Sequence, residues 1–315
     1  MKKPDIFRFM KKTLAMLFMC IGLLIVFGYF LEYRFANDRS DKFIWLQNIS
    51  NEEFDYAYIG SSRVLNMVDV NQIDAQLNTN GINLGRGGAN YRTLYMVLNS
   101  FVEENDNKLK KLFIQIDPFT LYRDSLYNKP NYDHYFYKYA DNKEIASCFN
   151  KNQSLYWYKY LPILKYIEFN KVYNITHFFR SFSEHSKFDL SKGSSLLIKH
   201  LPFKPDESLS EARLGFNEED LIFLNKLLAF ARKNHIEVEL YTAPIYNFET
   251  TLKPSYPGYD DFITNYIKVN DLQYFDFKNQ YISQPSLYKD KIHLNKKASE
   301  DFTGVMIQEM FQKMN

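Results

Sequence analysis

The sequence predicts an α/β protein: a parallel sheet covered by helices on both faces, preceded by one membrane-crossing helix. Three observations predict it. Short apolar runs that end in Gly, Asp or Pro alternate with stretches of helical period between Phe54 and Met310. Residues Thr13–Leu31 hold no charged side chain and are long enough to cross the hydrocarbon core as a helix. Among 315 residues, 46% are hydrophobic and only 11 are Gly and 10 Pro, which supplies a large core and excludes a disordered or low-complexity chain.

Residues 1–12 form a tail with five basic side chains and one acidic one, whereas Glu32–Lys42 balances three of each. That asymmetry keeps the tail in the cytoplasm and sends the remainder outside. A secretory signal would carry a shorter apolar region ending in small residues, which Leu31-Glu32-Tyr33-Arg34-Phe35 does not offer; Met19 before Cys20 likewise breaks the lipoprotein pattern. Residues 13–31 therefore read as an uncleaved single-pass anchor in the inner (cytoplasmic) membrane, 32–50 as a tether, and 51–315 as the extracytoplasmic domain.

Phe54–Ile59 is strand-like, and Gly60-Ser61-Ser62 breaks it. Gly81–Gly85 is a second strand running into the turn Gly85-Arg86-Gly87-Gly88. A helix fits Asn90 to about Glu104, with Leu94, Val97, Leu98 and Phe101 on one face. Leu112–Ile116 is a third strand, closed by Asp117-Pro118. Asn217 can cap a helix whose first turn holds Glu218, Glu219 and Asp220, where acids favour the dipole. Ile236–Thr242 and Tyr274–Phe277 are further strands, separated by a helix over Tyr259–Val269. The last helix runs from about Asn295 to Gln312. Between about residues 122 and 215 the alternation stops for longer than a loop allows, so this insertion has structure of its own, read as helical. It is dense in aromatics from Tyr132 to Tyr173, which serve either as its own core or as a rim that stacks on sugar rings.

Ligands of parallel sheets bind beyond the carboxyl ends of the strands. Ser62, Gly85 and Asp117 all follow proposed strand ends. A serine hydroxyl becomes a useful nucleophile only beside a base that is itself oriented by a third group. Asp290 and His293, three residues apart before the last helix, supply that pair. Alone, each has an ordinary explanation: a cap for Ser61 or Ser62, a turn residue for Asp290, a surface imidazole for His293.

Several chemistries are set aside. Cys20 and Cys148 are the two cysteines, too few for a thiolate metal site, and no His/Asp/Glu cluster has metal-ligand spacing. Gly85-Arg86-Gly87-Gly88 lacks the spacing of a dinucleotide fingerprint and a P-loop lysine. Net charge is +2, and about −2 without the tail, so nothing favours nucleic acid. No cofactor and no metal are expected.

Gly60-Ser61-Ser62 after the first strand, Asn83-Leu84-Gly85 after the second and Asp290-X-X-His293 before the last helix resemble blocks I, II and V of the SGNH (GDSL-like) hydrolases. The resemblance runs from residue 54 to 310 in order, with the insertion unmatched. It implies a flavodoxin-like three-layer domain in which Ser62 is the nucleophile, His293 the base and Asp290 its orienter. The Ser62 and Gly85 N–H groups would bind the oxyanion. Block III departs: where the family carries Gly-X-Asn-Asp, this chain has Asp117-Pro118-Phe119-Thr120, without the asparagine that completes the oxyanion hole. Asn90 or Arg86 is the expected substitute.

The anchor and the Gly-Ser-Ser variant look most like envelope members of that superfamily, including proteins of alginate O-acetylation and teichoic acid D-alanylation. The resemblance implies a serine acyl esterase or O-acyltransferase, with acetyl as the acyl group and a cell-surface glycan or acylated carbohydrate as substrate. A multispanning membrane acyltransferase is the implied partner. The missing asparagine and the aromatic insertion motivate a second expectation, a catalytically silent SGNH-like module that binds glycan or scaffolds an assembly. A third is a tethered structural protein of unrelated fold, in which Ser62 and His293 would lie far apart.

Overall fold

The computed structural model describes residues 3–36, 38, 41–106, 108–122, 132–149, 155–168, 178–182, 187–198, 216–249 and 256–311. Parts of the insertion, including His177, His185 and His200, and the end of the last helix at Gln312 lie outside the described residues. Along the chain, α1 (Lys3–Ala36) and α2 (Lys42–Gln47) precede β1 (Phe54–Ile59), α3 (Ser62–Met67), α4 (Val70–Leu77), β2 (Gly81–Asn83), α5 (Tyr91–Glu104), β3 (Leu109–Gln115) and α6 (Pro118–Leu121). The stretch where alternation stops holds two 3-10 turns, Asp133–Tyr135 and Tyr137–Tyr139, then α7 (Lys143–Ala146), α8 (Leu155–Tyr160) and α9 (Ile163–Glu168). Then come α10 (Glu218–Lys233), β4 (Glu237–Thr242), α11 (Tyr259–Asn270), β5 (Gln273–Asp276) and α12 (Lys296–Met310).

The chain divides into two compact units, one of Met1–Ile44 with Tyr132–His185, the other of Trp45–Asn131 with Ser186–Asn315. The second holds the sheet. All five strands are parallel, in the order β2-β1-β3-β4-β5. The order reverses direction between β1 and β3, which opens a crevice above their carboxyl ends. Tyr56, Tyr58, Phe113 and Tyr241 point to one face and pack with Val64 and Met67 of α3, Ile73 of α4 and Phe302 and Met306 of α12. Strand alternation sends Ala57, Ile59, Leu112, Ile114 and Leu240, all buried, to the other face. There α5 and α10 pack against each other. Asn217, the cap the sequence offers, accepts at Oδ1 from Asp220 N–H, and Asn90 Oδ1 accepts from Thr93 N–H in the same way.

Some boundaries differ from the sequence reading. β2 stops at Asn83 rather than Gly85, because the Asn83 side chain turns the backbone. β3 begins at Leu109, three residues early, since Lys111 is buried through an ion pair with Glu239 of β4, Nζ to Oε1 2.8 Å. Helices α3 and α4 were not foreseen; at six and eight residues they are too short for a repeating apolar stripe.

In the other unit, α1 is long and apolar enough to cross a membrane. It continues to Ala36, past the expected end at Leu31. Polar groups there find partners within the unit: Glu32 pairs with Lys165 and accepts from the Tyr166 hydroxyl, and Arg34 Nη2 donates to the Ser181 carbonyl at 2.9 Å, although Arg34 Nε is buried without a hydrogen bond among the described residues. The insertion's aromatics are partly its own core and partly exposed. Tyr135, Phe136, Tyr137 and Tyr139 are buried, the first two packed on Phe43, whereas Tyr156, Trp157 and Tyr160 are exposed.

Candidate active site

The sharp turn after β1 exists because residue 60 has no side chain. A Cβ on Gly60 would lie 2.6 Å from Gln115 Oε1 and 2.5 Å from Val64 Cγ2. Gln115, at the end of β3, accepts from the Ser61 N–H and the Ser61 hydroxyl, each at 3.2 Å. Ser61 Oγ in turn accepts from the Arg63 N–H at 3.3 Å and caps α3. The capping alternative raised for the Gly-Ser-Ser segment thus holds for Ser61. Ser62 becomes the first residue of the helix, where the N–H has no preceding turn to donate to.

Ser62 Oγ lies 2.8 Å from His293 Nε2, although 231 residues separate them. His293 Nδ1 lies 2.9 Å from both carboxylate oxygens of Asp290. Asp290 Oδ1 also accepts from the Ile292 N–H at 3.0 Å and the His293 N–H at 2.9 Å. Burial alone would raise the Asp290 pKa. The hydrogen bond and charge of His293, with the two backbone donors, outweigh burial and hold the carboxyl below its ordinary range. An ionised carboxylate only accepts, so Nδ1 carries the imidazole proton and Nε2 presents its lone pair to the Ser62 hydroxyl.

The His293 loop is fixed on several sides. Tyr288 and Leu294 form an antiparallel bridge, Lys289 N–H donates to the His293 carbonyl at 2.8 Å, and Tyr246 N–H donates to the Lys291 carbonyl at 3.1 Å. Asn295 caps α12 through the Ala298 N–H. The strongest tie comes from Arg63, beside the serine and only 1% exposed. Its Nη2 donates to the carbonyls of Ala243 (2.6 Å) and Pro244 (2.8 Å), and its Nε to that of Ile292 (3.1 Å). Its Nη1 lies 3.3 Å from Asp117 Oδ2, an ion pair without hydrogen-bond alignment. One guanidinium therefore joins the serine turn to the ends of β3 and β4 and to the histidine loop. Neither Arg63 nor Gln115 was singled out in the sequence. A buried arginine is rare enough that position alone does not announce it.

The glycine-rich turn lies over the serine: Arg86 N–H donates to the Gly60 carbonyl at 3.0 Å, and a Cβ on Gly87 would sit 3.9 Å from Ser62 Cβ. Here the structure corrects one expectation. The Gly85 N–H, expected at the oxyanion, closes an Asx turn onto Asn83 Oδ1 at 2.9 Å. Asn90 Oδ1 caps α5, whereas the group an oxyanion would need from this residue is its Nδ2 amide donor. Gly85 is needed for close approach instead, since its Cβ would lie 2.5 Å from Leu65 N and 2.7 Å from Val64 Cβ. Gly85→Ala is therefore expected to cost about 1–3 kcal/mol in urea unfolding, through overpacking of α3 against the β2 turn. Asp117, in the block III position, caps α6 through the Thr120 N–H at 3.1 Å and pairs with Arg63.

No family model matches the sequence, and no curated protein matches it. Solved structures with some likeness include one of a protein inferred to be an acylhydrolase, from Bacteroides fragilis, at 12% identity and a TM-score of 0.42 over 85% of this chain and 94% of that one. Another is a protein from Streptococcus pneumoniae inferred to be a platelet activating factor, at 11% identity and a TM-score of 0.44 over 93% and 98% of the two chains. A third is a gut microbial diltiazem-metabolizing enzyme, at 10% identity and a TM-score of 0.29 over 84% of this chain and 48% of that one. These likenesses are too distant to assign a role; the roles rest on the strand order and the site distances.

Proposed function

We propose that this chain is a membrane-anchored serine acyl esterase or O-acyltransferase of SGNH type, acting on a cell-surface glycan at the cytoplasmic membrane's outer face, with acetyl as the transferred group. The carrying observation is the 2.8 Å approach of Ser62 Oγ to His293 Nε2, with Asp290 behind the imidazole. In this reading, Ser62 Oγ attacks the acyl carbonyl while its proton passes to His293 Nε2. The resulting imidazolium is stabilised by ionised Asp290 and then protonates the departing alcohol. The acyl group rests as an ester on Ser62. Water releases it in an esterase; a sugar hydroxyl takes it in a transferase, with His293 again removing the proton. The Ser62 N–H, at the head of α3, is the oxyanion donor in this scheme. The anchor and the pairing with a multispanning acyltransferase belong to the same proposal.

A fluorophosphonate probe tests it: the full-length chain in detergent should label, and Ser62→Ala should not. A second reading, a catalytically silent glycan-binding module, draws on the Gly85 N–H being occupied by Asn83 and on the absence of the block III asparagine. Failure of the folded wild-type chain to label would favour it.

Asp290→Asn should lower kcat on the order of 10⁴-fold by removing the group that fixes the imidazole tautomer. It also carries a pH signature. Because folding lowers the Asp290 pKa from its ordinary 3.8, the ionised carboxylate adds stability above that pH, and the contribution is lost as pH falls through the folded value. The stability gap between wild type and Asp290→Asn should therefore be constant near neutrality and close below about pH 4, read by urea unfolding at each pH.

A further inference from the structure

We propose that the α8–α9 hairpin and the Phe179–Phe182 turn are a second membrane contact, lying in the headgroup layer beside α1; this rests on reading α1 as a membrane span. Within their shared unit, α9 packs directly on the end of α1. Its first residue, Ile163, approaches so closely that a Cβ on Gly28 would lie 2.7 Å from Ile163 N. The Tyr29 hydroxyl donates to the Tyr160 carbonyl at 2.9 Å, at the α8–α9 turn. Gly28 is three residues before the end of the uncharged stretch at Leu31. At the helical rise, the hairpin's turn is thus fixed about 4.5 Å inside the end of the span, the depth of the membrane interface.

Around that turn the unit exposes large apolar and amphipathic side chains. Trp157 is 60% exposed, with Tyr156 at 55%, Tyr160 at 56%, Ile167 at 57% and Phe179 at 69%. Tyr and Trp prefer this layer, where one end of the ring is wet and the other apolar. Polar side chains there are paired within the unit: Lys165 and Tyr166 hold Glu32, Lys159 of α8 pairs with Asp141 at the surface, and Arg34 lies 3.9 Å over the Phe182 ring. The occupant is the lipid bilayer because the patch continues the surface of α1, whose apolar side chains are exposed along its length.

The test uses the full-length chain in phosphatidylcholine–phosphatidylglycerol vesicles, with and without phosphatidylcholine brominated high on the acyl chain. Trp157 and Trp45 are the two tryptophans, and Trp45 is buried. The proposal expects brominated lipid to quench emission in the wild type, and expects that quenching to disappear in Trp157→Phe, an exposed substitution. Cys20, inside α1, reports the span separately through protection from a water-soluble maleimide. Protected Cys20 with a Trp157 emission that ignores brominated lipid overturns the second contact and leaves the span standing. A reactive Cys20 in intact vesicles removes the span and this inference together.

Discussion

Replacing Ser62 by Ala should abolish turnover of an acetyl ester, with a fall in kcat on the order of 10⁴–10⁶-fold, while leaving the fold and its unfolding midpoint nearly unchanged. The fall is that large because the hydroxyl is the atom that forms the covalent bond in the proposed reaction, and residual rate comes only from binding and oxyanion stabilisation. Stability changes little because Ser61, not Ser62, performs the structural work of the turn. Ser61 Oγ caps α3, and Ser61 N–H and Oγ both bond to Gln115. Ser61→Ala should accordingly reverse the pattern, losing on the order of 1 kcal/mol of stability and retaining a measurable rate. His293→Ala should act like Ser62→Ala, and the double variant should be no worse than either alone, since the two groups act as one unit. Steady-state assays on an acetyl ester, with urea unfolding of each variant, separate these outcomes.

The second large effect is expected at Arg63. Substituting Met keeps much of the volume but leaves the carbonyls of Ala243, Pro244 and Ile292 without their donor, and leaves buried Asp117 without its counter-charge. Breaking a buried pair from one side costs about 3–5 kcal/mol, so Arg63→Met should be among the most destabilising single changes in this unit. Arg63→Lys preserves the charge but not the planar fork that reaches both strand ends and the histidine loop, and should recover only part of the loss. Adding Asp117→Asn to Arg63→Met should restore stability relative to Arg63→Met, because it removes the unpaired charge; a double-mutant cycle measures that coupling. Where the Arg63→Lys protein folds, its kcat should fall more than its KM rises, because Ile292, the carbonyl that Arg63 holds, adjoins His293.

These predictions concern residues that were unequally visible in the sequence. Ser62, Asp290 and His293 carried chemical identity and a position at element boundaries, and Asn217 announced its helix by being a good cap followed by acids in the first turn. The strands were legible because each is a short apolar run stopped by Gly, Pro or Asp. What stayed hidden needs three dimensions. The contact between Ser62 and His293 depends on the strand order, which no local pattern states. Arg63 and Lys111 read as surface charges until their buried partners, Asp117 and Glu239, are brought alongside by the sheet. Gly85 was correctly marked as special, but for the wrong reason: the Asx turn takes its N–H, and the requirement is for backbone room beside Leu65. The insertion offered aromatic density without period, and it is resolved only by packing, with Tyr135 and Phe136 inside and Trp157 outside.

The most direct measurement of the central claim is rapid acid quench of the full-length chain with an activated acetyl ester, followed by digestion and fragmentation mass spectrometry. A trapped acetyl group on the Ser62 hydroxyl, present in wild type and absent in His293→Ala, is the predicted result. A folded wild-type chain that carries no acetyl group on Ser62 at any quench time, or that carries it equally without His293, would contradict a serine nucleophile activated by that imidazole.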